Sequence, residues 1–387
     1  MSDLIPFNVP HLAGREFVYL AQAVDEGHLS SDGRFTRECA ELLQQRLDVD
    51  CVLMTHSGTA ALELAMMLCG IGPGDEVILP SFTFVTTATA VVRVGARPVF
   101  VDIRADTLNL DERRLEEAIT SRTRAIIPVH YSGVACAMNE IGAIAQERGL
   151  RVIEDAAHAV NAFYEGKALG SIGDLGCFSF HETKNYICGE GGALCVNDPE
   201  LIERAHLIRD KGTNRRDFGA GRVDKYTWVD EGSSFAPSDI LCAFLKAQLE
   251  QLDSLLERRL EISARYRSLF AGLEREGYLR LPIQPAAAES NAHGFFILLP
   301  DQESRDGLLA SLAARGIRST FHYVPLHSSP MGQKLGCRET LPVTDAASAR
   351  LLRLPMFYEI KDEQINRVFA ETEDYLRSRS VRWTPLE

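Results

Sequence analysis

Short apolar runs alternate with helix-patterned stretches through the first half of this 387-residue chain, and that alternation limits the folds open to it. Residues 52–54, 76–79, 98–102, 124–129 and 151–155 read as buried strands. Between the first two, Leu62, Ala65, Met66 and Cys69 fall at i, i+3, i+4 and i+7, one face of a helix. Strands separated by helices pair in parallel, with helices covering both faces of the sheet. Two more strands are predicted at 174–180 and 192–197, joined by a glycine-rich connection, which brings the sheet to seven.

From about Pro237 the pattern changes. A Leu- and Arg-rich helical stretch covers 241–260 and beyond, followed by a strand at 293–299, a helix at 305–315, a strand at 317–321 and a terminal helix. In that helix Ile365, Val368, Phe369 and Leu376 share one face. A chain of this length exceeds one small domain. The expectation is an α/β protein with a large domain over residues 1–245, built on a mostly parallel seven-stranded sheet, and a small C-terminal α+β domain over 246–387.

The net charge of −13 disfavours nonspecific binding to nucleic acid or an anionic membrane. An anionic substrate would need a local basic patch. No apolar run reaches the roughly 20 residues needed to span a bilayer. The segment Met1–Pro6 has no basic start followed by an apolar stretch, so no signal peptide is expected. The nine cysteines are scattered without a CxxC pair, which reads as reduced thiols in the cytoplasm.

Chemistry concentrates in a few segments. Lys184 lies just past a predicted buried strand, in Phe178–Asn185, and Gly189-Glu190-Gly191-Gly192 follows. At a strand end over a cleft, its amine would be partly desolvated and nucleophilic, able to bond a carbonyl carbon. The plainer reading is an exposed turn lysine. The glycines would let the backbone approach a ligand. Asp155 ends a strand, where parallel sheets bind ligands, and its carboxylate suits a protonated pyridine nitrogen; a helix N-cap is the alternative. Ser57-Gly58-Thr59-Ala60-Ala61 opens a helix whose amides suit a phosphate, or is a simple cap. It is not a Walker loop, and GxGxxG is absent. Phe84 stacks on a planar ligand or packs in the core. Pro325 interrupts the spacing of His322 and His327, and no third ligand stands out, so no metal site is expected.

These segments, with Glu154-Asp155-Ala156-Ala157-His158 and Pro80-Ser81-Phe82-Thr83-Phe84, resemble the DegT/StrS family of sugar-nucleotide aminotransferases nearly end to end. Val129–Cys136, Lys211-Gly212-Thr213-Asn214-Arg215, Val223–Trp228 and Phe321–His327 are similar to the branch that acts at C4 of TDP-4-keto-6-deoxyglucose. The resemblance implies the aspartate aminotransferase-like fold (fold type I), the cofactor pyridoxal 5'-phosphate (PLP) and a homodimer with shared active sites. It implies that Lys184 holds the cofactor covalently and moves the proton. Asp155 would face the ring nitrogen, His158 the 3-hydroxyl, Phe84 the ring face, and Gly58, Thr59 and Ser179 the phosphate. Where many members carry an Asn that reaches the partner's phosphate, this chain has Gly232-Ser233-Ser234-Phe235, leaving Ser234 as the donor. The implied partners are L-glutamate and a dTDP-linked ketosugar, with His130, Lys211, Asn214, Arg215, His322 and Tyr323 as substrate contacts. Lys211, Arg215, Arg216, Arg222 and Lys225 form either a diphosphate patch or a solvated loop. A deoxysugar dehydratase of this fold would carry His in place of Lys184, and a non-catalytic ligand sensor would not need the Lys184, Asp155 and Ser57–Ala60 set.

Overall fold

The structure is a computed structural model that describes residues 4–379 and 381–385, so Met1–Asp3 of the amino-terminal segment lie outside it. The apolar runs become β1 (Val52–Thr55), β2 (Glu76–Pro80), β3 (Arg97–Val101), β4 (Thr123–Ile126) and β5 (Arg151–Asp155). A hairpin of β6 (Phe163–Tyr164) and β7 (Lys167–Ala168) precedes β8 (Leu175–Ser179) and β9 (Gly192–Val196). Seven of these form one sheet in the order β1-β9-β8-β5-β4-β2-β3. Only β9 runs antiparallel to its neighbours. Every residue of β1, β2, β8 and β9 is buried, which is why these strands read as unbroken apolar runs.

The helix Gly58–Leu68 buries more than the predicted face. Ala60, Ala61 and Leu64 are buried along with Leu62, Ala65 and Met66, because helices Val85–Arg93 and Ile202–Arg209 pack beside it over the sheet. Gly192 makes this packing possible. A Cβ there would lie 2.4 Å from the Ser57 backbone. Two of the glycines after Lys184 serve close approach within the protein, Gly191 against Cys188 and Phe180 and Gly192 against the start of the helix, while Gly189 takes a positive φ of 84° in open space.

β5 ends in two adjacent carboxylates, which the pleat sends to opposite faces. Glu154 points into the core with no exposed surface. It accepts hydrogen bonds from the amides of Gly170, Ile172 and Gly173 at 2.7–2.8 Å and from His130 Nε2 at 2.8 Å. His130 Nδ1 accepts from the Cys136 amide, which leaves Nε2 as the donor to Glu154. The expectation that His130 contacts substrate is thereby corrected: it is fully buried and ties the 130–136 turn to β5.

The helical stretch after Pro237 is two helices, Asp239–Leu249 and Leu252–Arg275, separated at Gln251 with φ −116°. The apolar pattern runs across the break because Leu249, Leu252 and Leu255 all join the core beside the sheet. Farther along, Ile262, Tyr266, Phe270 and Leu273 join a second core with Ile297, Leu312, Leu352 and Val368, to which Ile5 also belongs. β10 (Ala288–Glu289) adds to the β6–β7 hairpin, and β11 (Phe296–Leu298) pairs antiparallel with β12 (Leu351–Arg353). Residues 317–321 are not the expected strand: Ile317 bridges only to Ile5 and Thr320 only to Arg353. Ile317 is buried but Phe321 is exposed, so the two apolar ends of the segment do not mark a paired strand, and periodicity alone cannot tell the difference. Among the described residues no helix is long and apolar enough to cross a membrane.

Candidate active site

The parallel strands all present their carboxyl ends to one edge of the sheet, and there the structure opens a cavity of about 600 Å³. The segment after β1 contributes Ser57, Gly58 and Thr59; the one after β2, Thr83 and Phe84; β5 and its extension, Asp155 and His158; β8, Ser179. Lys184 reaches the same space from the turn beyond β8, and His322 and Tyr323 come from the C-terminal part of the chain.

Burial pushes the Lys184 amine down to about 8, against the opposing pull of Asp155, and the Arg353 charge adds to the downward push. The carboxylate of Asp155 is 6% exposed. Its Oδ2 accepts from Thr87 Oγ1 at 2.7 Å and its Oδ1 from the Ala157 amide at 3.2 Å. Thr83 Oγ1 lies 2.9 Å from the Thr87 hydroxyl and completes a short chain. Asp155 is thus both held in place and left with an anionic edge toward the cavity.

At the helix start, Ser57 Oγ accepts from the Ala60 amide at 3.0 Å. That leaves Gly58 and Thr59, whose amides have no intrahelical acceptor, at the positive end of the helix. Ser179 sits against Gly58: a Cβ on Gly58 would lie 2.9 Å from the Ser179 Cβ. Together they form a narrow polar cradle.

His158 accepts the Ser132 amide at Nδ1, so its proton is on Nε2. Burial holds it neutral, well below the usual imidazole range. It stacks on His293 with ring centroids 3.9 Å apart. His293 in turn bonds Asn185 at 3.1 Å, next to Lys184. Phe84 is 57% exposed, an aromatic face open at the cavity rather than packed in the core.

His322 lines the cavity with both nitrogens engaged. Nε2 accepts from Arg353 Nη1 at 2.9 Å, which places the proton on Nδ1, 3.3 Å from the Tyr131 hydroxyl. His327 turns away and bonds Ser81 Oγ at 2.8 Å. The two histidines share no ligand position, and among the described residues no group of three His, Cys, Asp or Glu is arranged to hold a metal.

Lys211, Asn214, Arg215 and Ser234 do not line the cavity of this chain. Asn214 instead closes its own loop, donating to the Lys225 carbonyl and accepting the Thr227 amide at 2.7 Å. Lys211 lies 3.4 Å from Asp210, and Arg222 pairs with Asp217. Of the two readings of these basic residues, a diphosphate patch is not assembled at the cavity within one chain. Conversely, Arg259, His293 and Arg353 line it and were not singled out from sequence. Arg353 closes the apolar pair Leu351-Leu352, a charged residue at a strand end that could have been flagged.

Residues 10–373 match the DegT/DnrJ/EryC1/StrS aminotransferase family. The chain belongs to that family. Solved structures agree over nearly the whole length. The aminotransferase TlmJ from Streptoalloteichus hindustanus is 31% identical with a TM-score of 0.89, covering 97% of this chain and 99% of its own. DesV from S. venezuelae is 32% identical, with a TM-score of 0.89 and the same coverage. The PLP form of Spr1654 from Streptococcus pneumoniae, a candidate sugar aminotransferase, is 28% identical with a TM-score of 0.90, covering 97% and 99%.

As a member of this family the protein is a PLP-dependent aminotransferase with the fold of those enzymes. Its own residues fit the cofactor. A buried, low-pKa amine, a carboxylate at a strand end, a neutral imidazole donor and a helix start without intrahelical acceptors surround one cavity. The pKa of Lys184 carries a pH prediction. With a value near 8, roughly a tenth of the amine is neutral at pH 7, against about three in ten thousand at 10.5. Only the neutral amine attacks a carbonyl. Capture of added PLP by cofactor-free enzyme, followed by stopped-flow absorbance, should accelerate about tenfold per pH unit up to roughly 8 and then level off. A rate constant that is flat between pH 6 and 8 would contradict the assignment.

Proposed function

We propose that this protein is a sugar aminotransferase that moves an amino group from L-glutamate to C4 of a nucleotide-linked 4-keto-6-deoxyhexose, with dTDP-4-keto-6-deoxy-D-glucose as the substrate. The observation that carries the reading is the meeting of Lys184 and Asp155 in one cavity beside the helix start at Gly58. PLP, when bound, supplies the aldehyde that accepts the amino group and the ring that takes up the electron pair released at carbon.

The chain's residues divide the remaining work. Asp155, backed by Thr87, keeps a negative charge where a pyridine nitrogen must stay protonated. Gly58, Thr59 and Ser179 take the phosphate. His158 offers its Nε2 proton to the 3-hydroxyl oxygen, and Phe84 covers the ring face. Lys184, once free, carries the proton between the donor's alpha carbon and the cofactor, and later to C4 of the sugar. Its lowered pKa suits both giving and taking that proton near neutral pH. The presence of Lys184, where a dehydratase of this fold has histidine, favours amino transfer.

The homodimer is part of the same proposal. The segment that carries Lys211, Asn214 and Arg215 also exposes Phe218 (49%), Tyr226 (52%) and Trp228 (76%). Large apolar groups left in water suggest a covered face. A partner chain seated there would bring the basic residues, and Ser234 beside them, to its neighbour's cavity.

Incubation with L-glutamate and a panel of nucleotide 3- and 4-ketosugars, with NMR of the products, tests the substrate. A dTDP-4-amino-4,6-dideoxyhexose and 2-oxoglutarate are expected. Amination at C3, or of no ketosugar, would overturn the assignment.

A further inference from the structure

Among the described residues, two arginines at the cavity have no acidic partner. Arg259 is 7% exposed, and its Nε and Nη2 donate only to the carbonyls of Ala292 and His293, at 3.0 and 2.7 Å. Arg353 lies over the Phe7 ring, 5.0 Å from its centroid. Gly294 backs it so closely that a Cβ there would sit 2.8 Å from Nη2. Its one side-chain hydrogen bond is to the neutral His322. Among the described residues neither guanidinium has an ion-pair partner. Both line the cavity beside Lys184. Arg259 is buried and Arg353 half-buried; cations withdrawn from water are normally paired, so the two charges call for an anion from outside the chain.

Three anions visit a cavity of this kind: a cofactor phosphate, a nucleotide diphosphate and the carboxylates of an amino donor. The phosphate is met by the helix start at Gly58. A diphosphate on the anomeric oxygen is separated from a reacting C4 by the whole pyranose ring, so it lies far from Lys184. The alpha carboxylate of an amino acid is one bond from the carbon whose proton Lys184 removes. It must therefore lie within a few ångströms of that amine. Arg353 is the arginine whose field acts on Lys184, and Arg259 lies within reach of the field of Arg353. A planar fork matches a carboxylate with two parallel hydrogen bonds.

We infer that Arg353 binds the alpha carboxylate of the amino donor and Arg259 its second carboxylate, so that these two residues select a dicarboxylic amino acid. His322 positions Arg353 by accepting a hydrogen bond from its Nη1. The inference rests on the aminotransferase reading and adds the residues that choose the donor.

The test is isothermal titration of the PLP-loaded enzyme with glutarate, propionate and TDP. Wild-type enzyme should bind glutarate at least tenfold more tightly than propionate. R353Q should weaken glutarate by roughly 10–150-fold, the worth of a charge-assisted pair, and leave TDP within threefold. R259K should weaken glutarate more than propionate. Glutarate binding within threefold of wild type in R353Q, or a loss of TDP binding in its place, would overturn the inference. If R353Q does not fold, R353K keeps the charge without the fork and should show the same loss for glutarate. Equal binding of glutarate and propionate by wild type overturns the inference without any variant. Failure of the substrate proposal looks different: glutarate binds and R353Q loses it, but no nucleotide ketosugar is aminated.

Discussion

Replacing Lys184 with alanine should leave a folded protein that holds PLP only noncovalently and turns over at least about 10⁴ times more slowly. The fold should persist because the turn does not depend on this side chain. The Lys184 amide donates to the His181 carbonyl, and Asn185 is anchored through Asn291 and His293. The side chain instead costs the folded state. An amine held near 8 gives up proton affinity that the unfolded chain retains at 10.5, and that cost is fully present below pH 8. Cofactor-free Lys184→Ala protein should therefore melt no lower than wild type at pH 7. The decisive readout is borohydride reduction followed by peptide mass spectrometry. The cofactor mass should appear on the wild-type peptide that contains Lys184 and be absent from the variant. A reduced adduct in Lys184→Ala would remove this residue from the mechanism.

Asp155→Asn should lower turnover by roughly a thousandfold, the scale seen when one preorganised electrostatic contact is lost in a water-poor site. The change keeps the shape and removes the charge. The carboxamide oxygen can still accept the Ala157 amide while its NH₂ donates to the Thr87 hydroxyl oxygen, so the sheet edge stays in place, as circular dichroism and melting should show. What disappears is the anion that favours a protonated ring nitrogen. Both half-reactions need it, so glutamate consumption and ketosugar amination should fall together. Turnover within tenfold of wild type would take Asp155 out of the chemistry. The contrast with Glu154 is instructive. One residue earlier, the same functional group serves the core, fully enclosed by three amides and His130.

That contrast marks how much the sequence reveals. The residues after β1, β2, β5 and β8 were legible because a parallel sheet sends all its carboxyl ends to one edge. Gly58, Thr59, Phe84, Asp155, His158, Ser179 and Lys184 do meet at one cavity. His130 was misread for the same reason that Glu154 and Asp155 differ. A side chain at a strand end can turn to either face, and a polar residue in a strong motif looks alike in both. The glycines near Lys184 were read as letting the backbone approach a ligand, but Gly192 is approached by the helix start at Ser57 and Gly191 by Cys188 and Phe180.

The seven strands, the helices between them and the set of chemical groups at the strand ends follow from the order of apolar and polar residues, since each depends on neighbours close along the chain. Which distant residues join them depends on packing across long separations. Arg259, His293 and Arg353 join Lys184 at the cavity only because the second core folds back over the sheet edge, and no local pattern records that approach. The segment 211–234 shows the same limit: its basic residues stay outside their own chain's cavity, a placement that spacing could not reveal.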